Sequence, residues 1–270
     1  MSDKFQFIIK QQIESAKKYC YNELWLGNCE LLEIPEEVFT IESLDLLSLR
    51  NTQISFISES ISKLKNLEYL HLGNNQLKDL PSSFSQLTNL QYLNLGDNQL
   101  QQIPKSIFDL PNLSTLELYN NQISFISNNI SHLSKLDSLD LGENLIEYLP
   151  TGLFELENLE QLDLSYNKLT IVPESICKLT KLEELFLNNN QIKTLPESIG
   201  RLSNLYELWL ENNQLKTLPK SMITMKLITN LCLDCDKARN LPERPGILIL
   251  ENNPLELESI PEEILDALTK

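Results

Sequence analysis

The chain repeats itself with a fixed step. "NTQISFISESISKL", beginning at Asn51, returns as "NNQISFISNNISHL", beginning at Asn120, and the interval is three equal steps of 23. Ten segments begin at residues 21, 44, 67, 90, 113, 136, 159, 182, 205 and 228, with no insertion between them. "LEYLHLGNNQLKDLPSSFSQLTN" from Leu67 and "LEELFLNNNQIKTLPESIGRLSN" from Leu182 are clean copies of one template, Leu-x-x-Leu-x-Leu-x-x-Asn-x-Leu-x-x-Leu-Pro-x-x-Ile-x-x-Leu-x-x. So strict a step restricts the fold to stacked, near-identical turns.

Each turn has its own grammar. The alternation around Leu70 and Leu72 predicts a short strand with one buried face. Stacked strands then form a parallel sheet with a spacing of about 4.8 Å. The second half, such as "LPSSFSQL", places Leu80, Phe84 and Leu87 where a short turn or loose helical segment would close the core from the other side. One turn cannot bury its apolar face alone, so stability must come from neighbours. Asn75, Asn98, Asn121, Asn144, Asn167, Asn190, Asn213 and Asn253 share one template position. An inward amide both donates and accepts, so a column of them can satisfy the backbone of successive turns. Cys29, Thr52 and Asp236 replace it, Thr52 being the weaker internal link.

This pattern closely resembles the leucine-rich repeat family in its 23-residue cytoplasmic variety, LPxxIxxLxxLxxLxLxxN, over residues 21 to about 261. The resemblance implies an α/β solenoid, an arc with a parallel concave sheet, built from ten 23-residue repeats and one shortened repeat. It implies a protein-binding scaffold and no enzyme. The ends need covers. "KFQFIIKQQIESAKKYC" sets Phe5, Ile8, Ile9, Ile13 and Ala16 near helical spacing, predicting an amphipathic cap helix within residues 1–20 that packs on Leu24 and Leu26. The solenoid would run over 21–256. After Asp236 the next equivalent asparagine, Asn253, arrives well before a full step is complete, which marks the shortened repeat. "SIPEEILDALTK" predicts a C-terminal cap helix within 257–270.

A formal charge of −16 and only four arginines argue against a nucleic-acid partner. They favour a protein with a basic patch. No run reaches the length of a membrane span. The amino terminus lacks a secretory layout, and five cysteines make no disulfide scaffold, so a cytoplasmic monomer is the default expectation, with export lacking a cleaved signal left open. No cofactor is implied: glycine-rich phosphate loops, nucleophile elbows and metalloprotease helices are absent. "CLDC" offers Cys232 and Cys235 as weak metal ligands, but four well-placed ligands are needed, so incidental thiols are the plainer reading. Cys177 reads as a small core residue.

Side chains beside the buried strand leucines should share the concave face. Glu117, Asp140 and Asp163 then form one row on consecutive strands, where like charges repel unless hydrated or paired. Tyr119, Tyr166, Phe186, Tyr206 and Trp209 supply aromatic rings, and Glu184, Glu207 and Glu211 supply further acids. Rings flanked by carboxylates make a plausible anchor for Lys or Arg. Tyr69, His71 and Tyr92 form a second, less acidic patch, in which His71 is a surface histidine rather than a catalyst. Glu174 and Glu197, in the outer turns, read as solubilising surface. Phe56 and Phe125 occupy an otherwise mostly polar site; duplication of a three-repeat block explains them, and a second binding edge is the sharper alternative. The leading expectation is a non-catalytic scaffold using the aromatic and acidic face. The alternatives are a secreted or host-directed recognition protein of effector type and a carbohydrate-active enzyme with paired carboxylates.

Overall fold

The computed structural model describes residues 3–225, 247–256, 258, 260–262 and 264. The chain divides into two compact units, Met1–Ile123 with His132–Leu136, and Ser124–Ser131 with Asp137–Lys270. Both are parallel-sheet solenoids of the kind the repeat demands.

In the first unit a helix, α1 (Asp3–Tyr19), precedes five three-residue strands: β1 (Glu23–Trp25), β2 (Leu46–Ser48), β3 (Tyr69–His71), β4 (Tyr92–Asn94) and β5 (Thr115–Glu117). They pair in parallel and in register at every step, so that Leu24, Leu47, Leu70, Leu93 and Leu116 lie side by side. All five are buried. Because side chains alternate across a strand, burying this leucine sends its two neighbours to the opposite face. Turn by turn the chain returns through a five-residue 3-10 helix, as at Ser82–Gln86. Pro81 stands at its N-cap with φ −67°, and the Leu87 N–H closes it on the Phe84 carbonyl at 3.1 Å. Proline there presets φ and gives up an N–H that would go unused.

α1 covers the open end of the core with Ile9, Ile13 and Ala16, which are buried on one face. Ile8, expected among them, is exposed because spacings of four and three from Ile9 define a stripe that excludes it. Lys17 and Lys18 in the last turn complement the helix dipole.

The second unit contains β6 (Ser138–Asp140), β7 (Gln161–Asp163), β8 (Glu184–Phe186), β9 (Glu207–Trp209) and β10 (Ile247–Ile249), also parallel. Ile247 pairs with Glu207, and the Asn252 side chain bonds to Asn212. The shortened repeat therefore stands directly beside the ninth. Residues 226–246, which carry the expected tenth strand, Asp236 and the Cys232–Cys235 pair, lie outside the described residues. Most of the expected C-terminal helix also lies outside them, while Ile260 and Ile264 are buried.

The asparagine column has one geometry in both units. Asn98 Nδ2 donates to the Leu72 and Leu95 carbonyls, each at 3.0 Å, and its Oδ1 accepts from the Leu77 N–H at 2.9 Å. Asn167 repeats this with Leu141, Leu164 and Ile146. Asn253 accepts from the Leu215 N–H at 3.0 Å, closing the ninth turn. Thr52, lacking an amide, donates its hydroxyl to Asn75 Oδ1 at 2.5 Å.

A second column runs along the surface turn just before the first. Asn28, Asn51, Asn74, Asp97 and Asn120 all adopt left-handed backbone, with φ between 48° and 58°. Asn51 donates to Asn28, and Asn74 to Asn51, at 2.9 Å. Asn and Asp tolerate this conformation because their short polar side chains bond locally. The doubled "NN" of the sequence is thus one residue for the core and one for the turn.

Candidate functional site

On the strand face of the first unit, aromatic rings stand against one another. His71 lies between Trp25, 6.1 Å away by ring centroids, and Tyr92, 4.8 Å away, and Tyr69 approaches Tyr92 at 6.4 Å. Trp25 sits two strands from His71, and the small Ser48 between them lets the rings meet. Carboxylates hold the polar ends: Trp25 Nε1 donates to Glu23 at 3.1 Å, and the Tyr92 hydroxyl to Glu117 at 2.8 Å. Asn94 also donates to Glu117. Burial, reinforced by Glu117, pushes the Tyr92 hydroxyl up to about 12. Burial lowers His71, against a weaker opposing pull from Glu117. Tyr119 lies over Gly96, where a Cβ would collide with its ring.

The second unit has a parallel arrangement at its far strands. Phe186 and Trp209 meet at 5.7 Å and 55°. Trp209 Nε1 donates to Glu207 at 2.7 Å, and the Tyr206 hydroxyl to Glu184 at 2.5 Å. The Glu184 bond, with burial, raises the Tyr206 hydroxyl. "ELW" occurs twice, at β1 and β9, and both times the glutamate at the start of the strand takes the indole N–H, which orients the ring.

The acids of the expected row carry hydrogen bonds of their own. Glu117 is engaged by Tyr92 and Asn94, and Asp140 and Asp163 are paired strand neighbours. Asp140 Oδ1 accepts from the Gly142 N–H at 2.9 Å, and Asp163 Oδ1 from the Ser165 N–H at 2.7 Å. These two carboxylates cap the turn after their own strands, and burial raises Asp163. Glu207 and Glu211 are buried rather than displayed. Tyr166 is exposed but stands in the surface turn at φ 52°, off the strand.

Glu174 and Glu197 also correct the expectation of a merely solubilising surface. Glu197 Oε1 and Oε2 accept from the Lys220 and Ser221 N–H groups at 3.2 and 3.1 Å, and Glu174 Oε2 accepts from the Ser198 N–H at 3.2 Å. Glu59 does the same for Ser83 at 2.9 Å. Each carboxylate thus satisfies helix-start donors one repeat later. Hydrogen bonds from Ser83 lower Glu59, and the Ser221 N–H leads those that lower Glu197. The recurring "PES" was the available signal, but its partner stands in the following repeat.

Among the described residues no group of three or more His, Cys, Asp or Glu side chains is placed to hold a metal, and no helix is long and apolar enough to cross a membrane. Cys20, Cys29 and Cys177 are free thiols, Cys177 being half-buried rather than core.

The chain matches the family model described as leucine rich repeat over residues 22–77, 42–100, 71–123, 88–146 and 134–192, and a model of two such copies over 180–222. No curated protein matched. A leucine-rich repeat protein of Leptospira interrogans is 38% identical, with a TM-score of 0.83, over 96% of this chain and 61% of its own. An internalin of Listeria monocytogenes is 27% identical, with a TM-score of 0.69, over 79% of this chain and 60% of its own. A plant peptide hormone receptor, solved in complex with RGF2, is 26% identical, with a TM-score of 0.67, over 87% of this chain and 40% of its own. The chain thus spans about three fifths of the first two. These comparisons overturn the cytoplasmic expectation, because the internalins and the hormone receptor are secreted or extracellular proteins.

Proposed function

The chain belongs to the leucine-rich repeat family, and we propose that it is a protein-recognition module of the secreted or host-directed kind, reading its partner with the strand face. Its leucine-rich repeat solenoid is a fold used for protein–protein interaction, which supports a non-catalytic reading. One observation carries the reading: on this face aromatic rings are fixed by carboxylates of the same unit, as Trp209 is by Glu207 and Tyr92 by Glu117. Rings ordered before contact lose little entropy on binding, and aromatic anchors dominate interface energies. The same edges are rich in carboxylate, which favours a partner presenting lysine or arginine beside its apolar contacts. The hormone receptor solved with RGF2 supports recognition of a peptide or protein as the general mode. We further assign the repeats to the 23-residue LPxxIxxLxxLxxLxLxxN variety. A paired-carboxylate enzyme is disfavoured, since Asp140 and Asp163 are committed to backbone N–H groups.

The test is site-specific photocrosslinking against a library of extracellular proteins. A benzophenone side chain at Gln161 on the strand face should give adducts, and one at Lys178 on the helical side should not. For any partner so found, Trp209→Ala should weaken binding by at least about tenfold. Adducts from Lys178 alone, or unchanged affinity on removing Trp209 and Tyr92 in turn, would overturn the reading.

A further inference from the structure

The surface turns of the sixth and seventh repeats break the template at three positions together. At the first, every other described repeat has Asn or Asp in left-handed backbone, but these two have Glu143 and Tyr166, with φ 54° and 52°. Two positions on, where Gln prevails, they have Leu145 and Lys168. Three further on, where Glu33, Asp79, Gln102, Thr194 and Thr217 stand elsewhere, they have Tyr148 and Ile171, with Phe125 continuing the stripe from the fifth repeat. Phe56, at the same position in the first unit, has polar neighbours on both sides in Glu33 and Asp79 and forms no stripe. All three stripe residues lie in the second unit, and Tyr148, Ile171 and Phe125 are 75%, 63% and 60% exposed. Leu145 and Tyr166 are exposed beside them.

None of this helps the chain fold. A tyrosine in left-handed backbone is strained, and such strain persists where function requires it. Exposed apolar groups on three successive turns gain nothing in water. At roughly 150–250 Å² for an aromatic side chain, the five residues expose about 500 Å², the scale at which patches mark interaction sites.

The border of the patch identifies its occupant. Glu143 and Glu147 are exposed on the sixth repeat and Lys168 on the seventh. A partner of one charge sign would suit one border and oppose the other. A second copy of this chain, turned by a two-fold axis between these repeats, suits both, because the sixth repeat of each faces the seventh of the other. Tyr148 then meets Ile171 of the other copy, and Glu147 meets its Lys168. Elsewhere two chains of charge −16 repel, so self-association needs a neutral centre with complementary edges. We infer that the chain forms a two-fold dimer through the surface turns of its sixth and seventh repeats, in place of the monomer expected from sequence. Two such patches bury about 1,000 Å², the lower bound for a specific interface.

Sedimentation equilibrium of the full chain from about 1 to 200 µM tests this. The wild type should show a monomer–dimer equilibrium, and Tyr148→Asp should raise the dissociation constant at least about tenfold. Glu147→Lys and Lys168→Glu should each weaken the dimer, and the double exchange should restore it. Far-UV circular dichroism and urea midpoints establish that each variant is folded. A chain monomeric throughout, a dimer indifferent to these changes, or Lys168 crosslinking only to a foreign protein would each overturn the inference.

Discussion

Replacing Asn167 with alanine should destabilise the second unit by about 2–6 kcal/mol. The figure follows from counting what is left without a partner. The buried Ile146 N–H gives its bond to Asn167 Oδ1 at 2.9 Å. Without the amide it is orphaned, at a cost of about 1–3 kcal/mol. The two carbonyls fare better. Leu141 O keeps a donor in Asn144 at 3.1 Å, and Leu164 O keeps Asn190 at 2.9 Å. Their loss is the ordinary net value of a hydrogen bond, about 0.5–1.5 kcal/mol each. Asn204 is the control: exposed, with one bond to the Thr180 carbonyl at 2.8 Å, its alanine variant should stay within about 0.5 kcal/mol of wild type. Urea unfolding followed by far-UV circular dichroism reads both, with the slope checked because repeat arrays lose cooperativity when one turn weakens. If Asn167→Ala costs no more than Asn204→Ala, the column is not what satisfies the turns.

Three further outcomes can be measured. Gly96→Ala should cost about 1–3 kcal/mol by overpacking against Tyr119, and Tyr119→Ala should cancel that penalty in a double-mutant cycle. Tyr166→Asn should raise stability by about 1 kcal/mol, since asparagine tolerates the left-handed backbone. Acid stability should separate two kinds of carboxylate. Glu197 is lowered when folded, so its contribution is present above the ordinary carboxylate range and is lost as pH falls through its folded value. Asp163 is raised, so its contribution is present at low pH and is lost as pH rises through its folded value. Glu197→Gln should therefore lower the urea midpoint at about pH 8 and not at about pH 2, and Asp163→Asn should raise it at about pH 8 only.

Much of the backbone was legible in one dimension. A 23-residue step with leucines at fixed offsets leaves few ways to bury them, so strand direction, register and the inward asparagine could be read before any coordinate. Among the described residues, the pairing of Glu207 with Ile247 was the one not read from the 23-residue step.

What the sequence determined by itself was the repeating interior, since burial acts on every copy of the template alike. What the tertiary structure alone decided was how the surface acids are used. Glu197 and Glu174 look like solvated charges until the next turn's amides are seen beside them. Asp163 looks like a free binding group until it is found capping its own turn. The reason is physical: a carboxylate's role depends on donors within about 3 Å, and here most of those donors come from backbone that only stacking or a tight turn brings near.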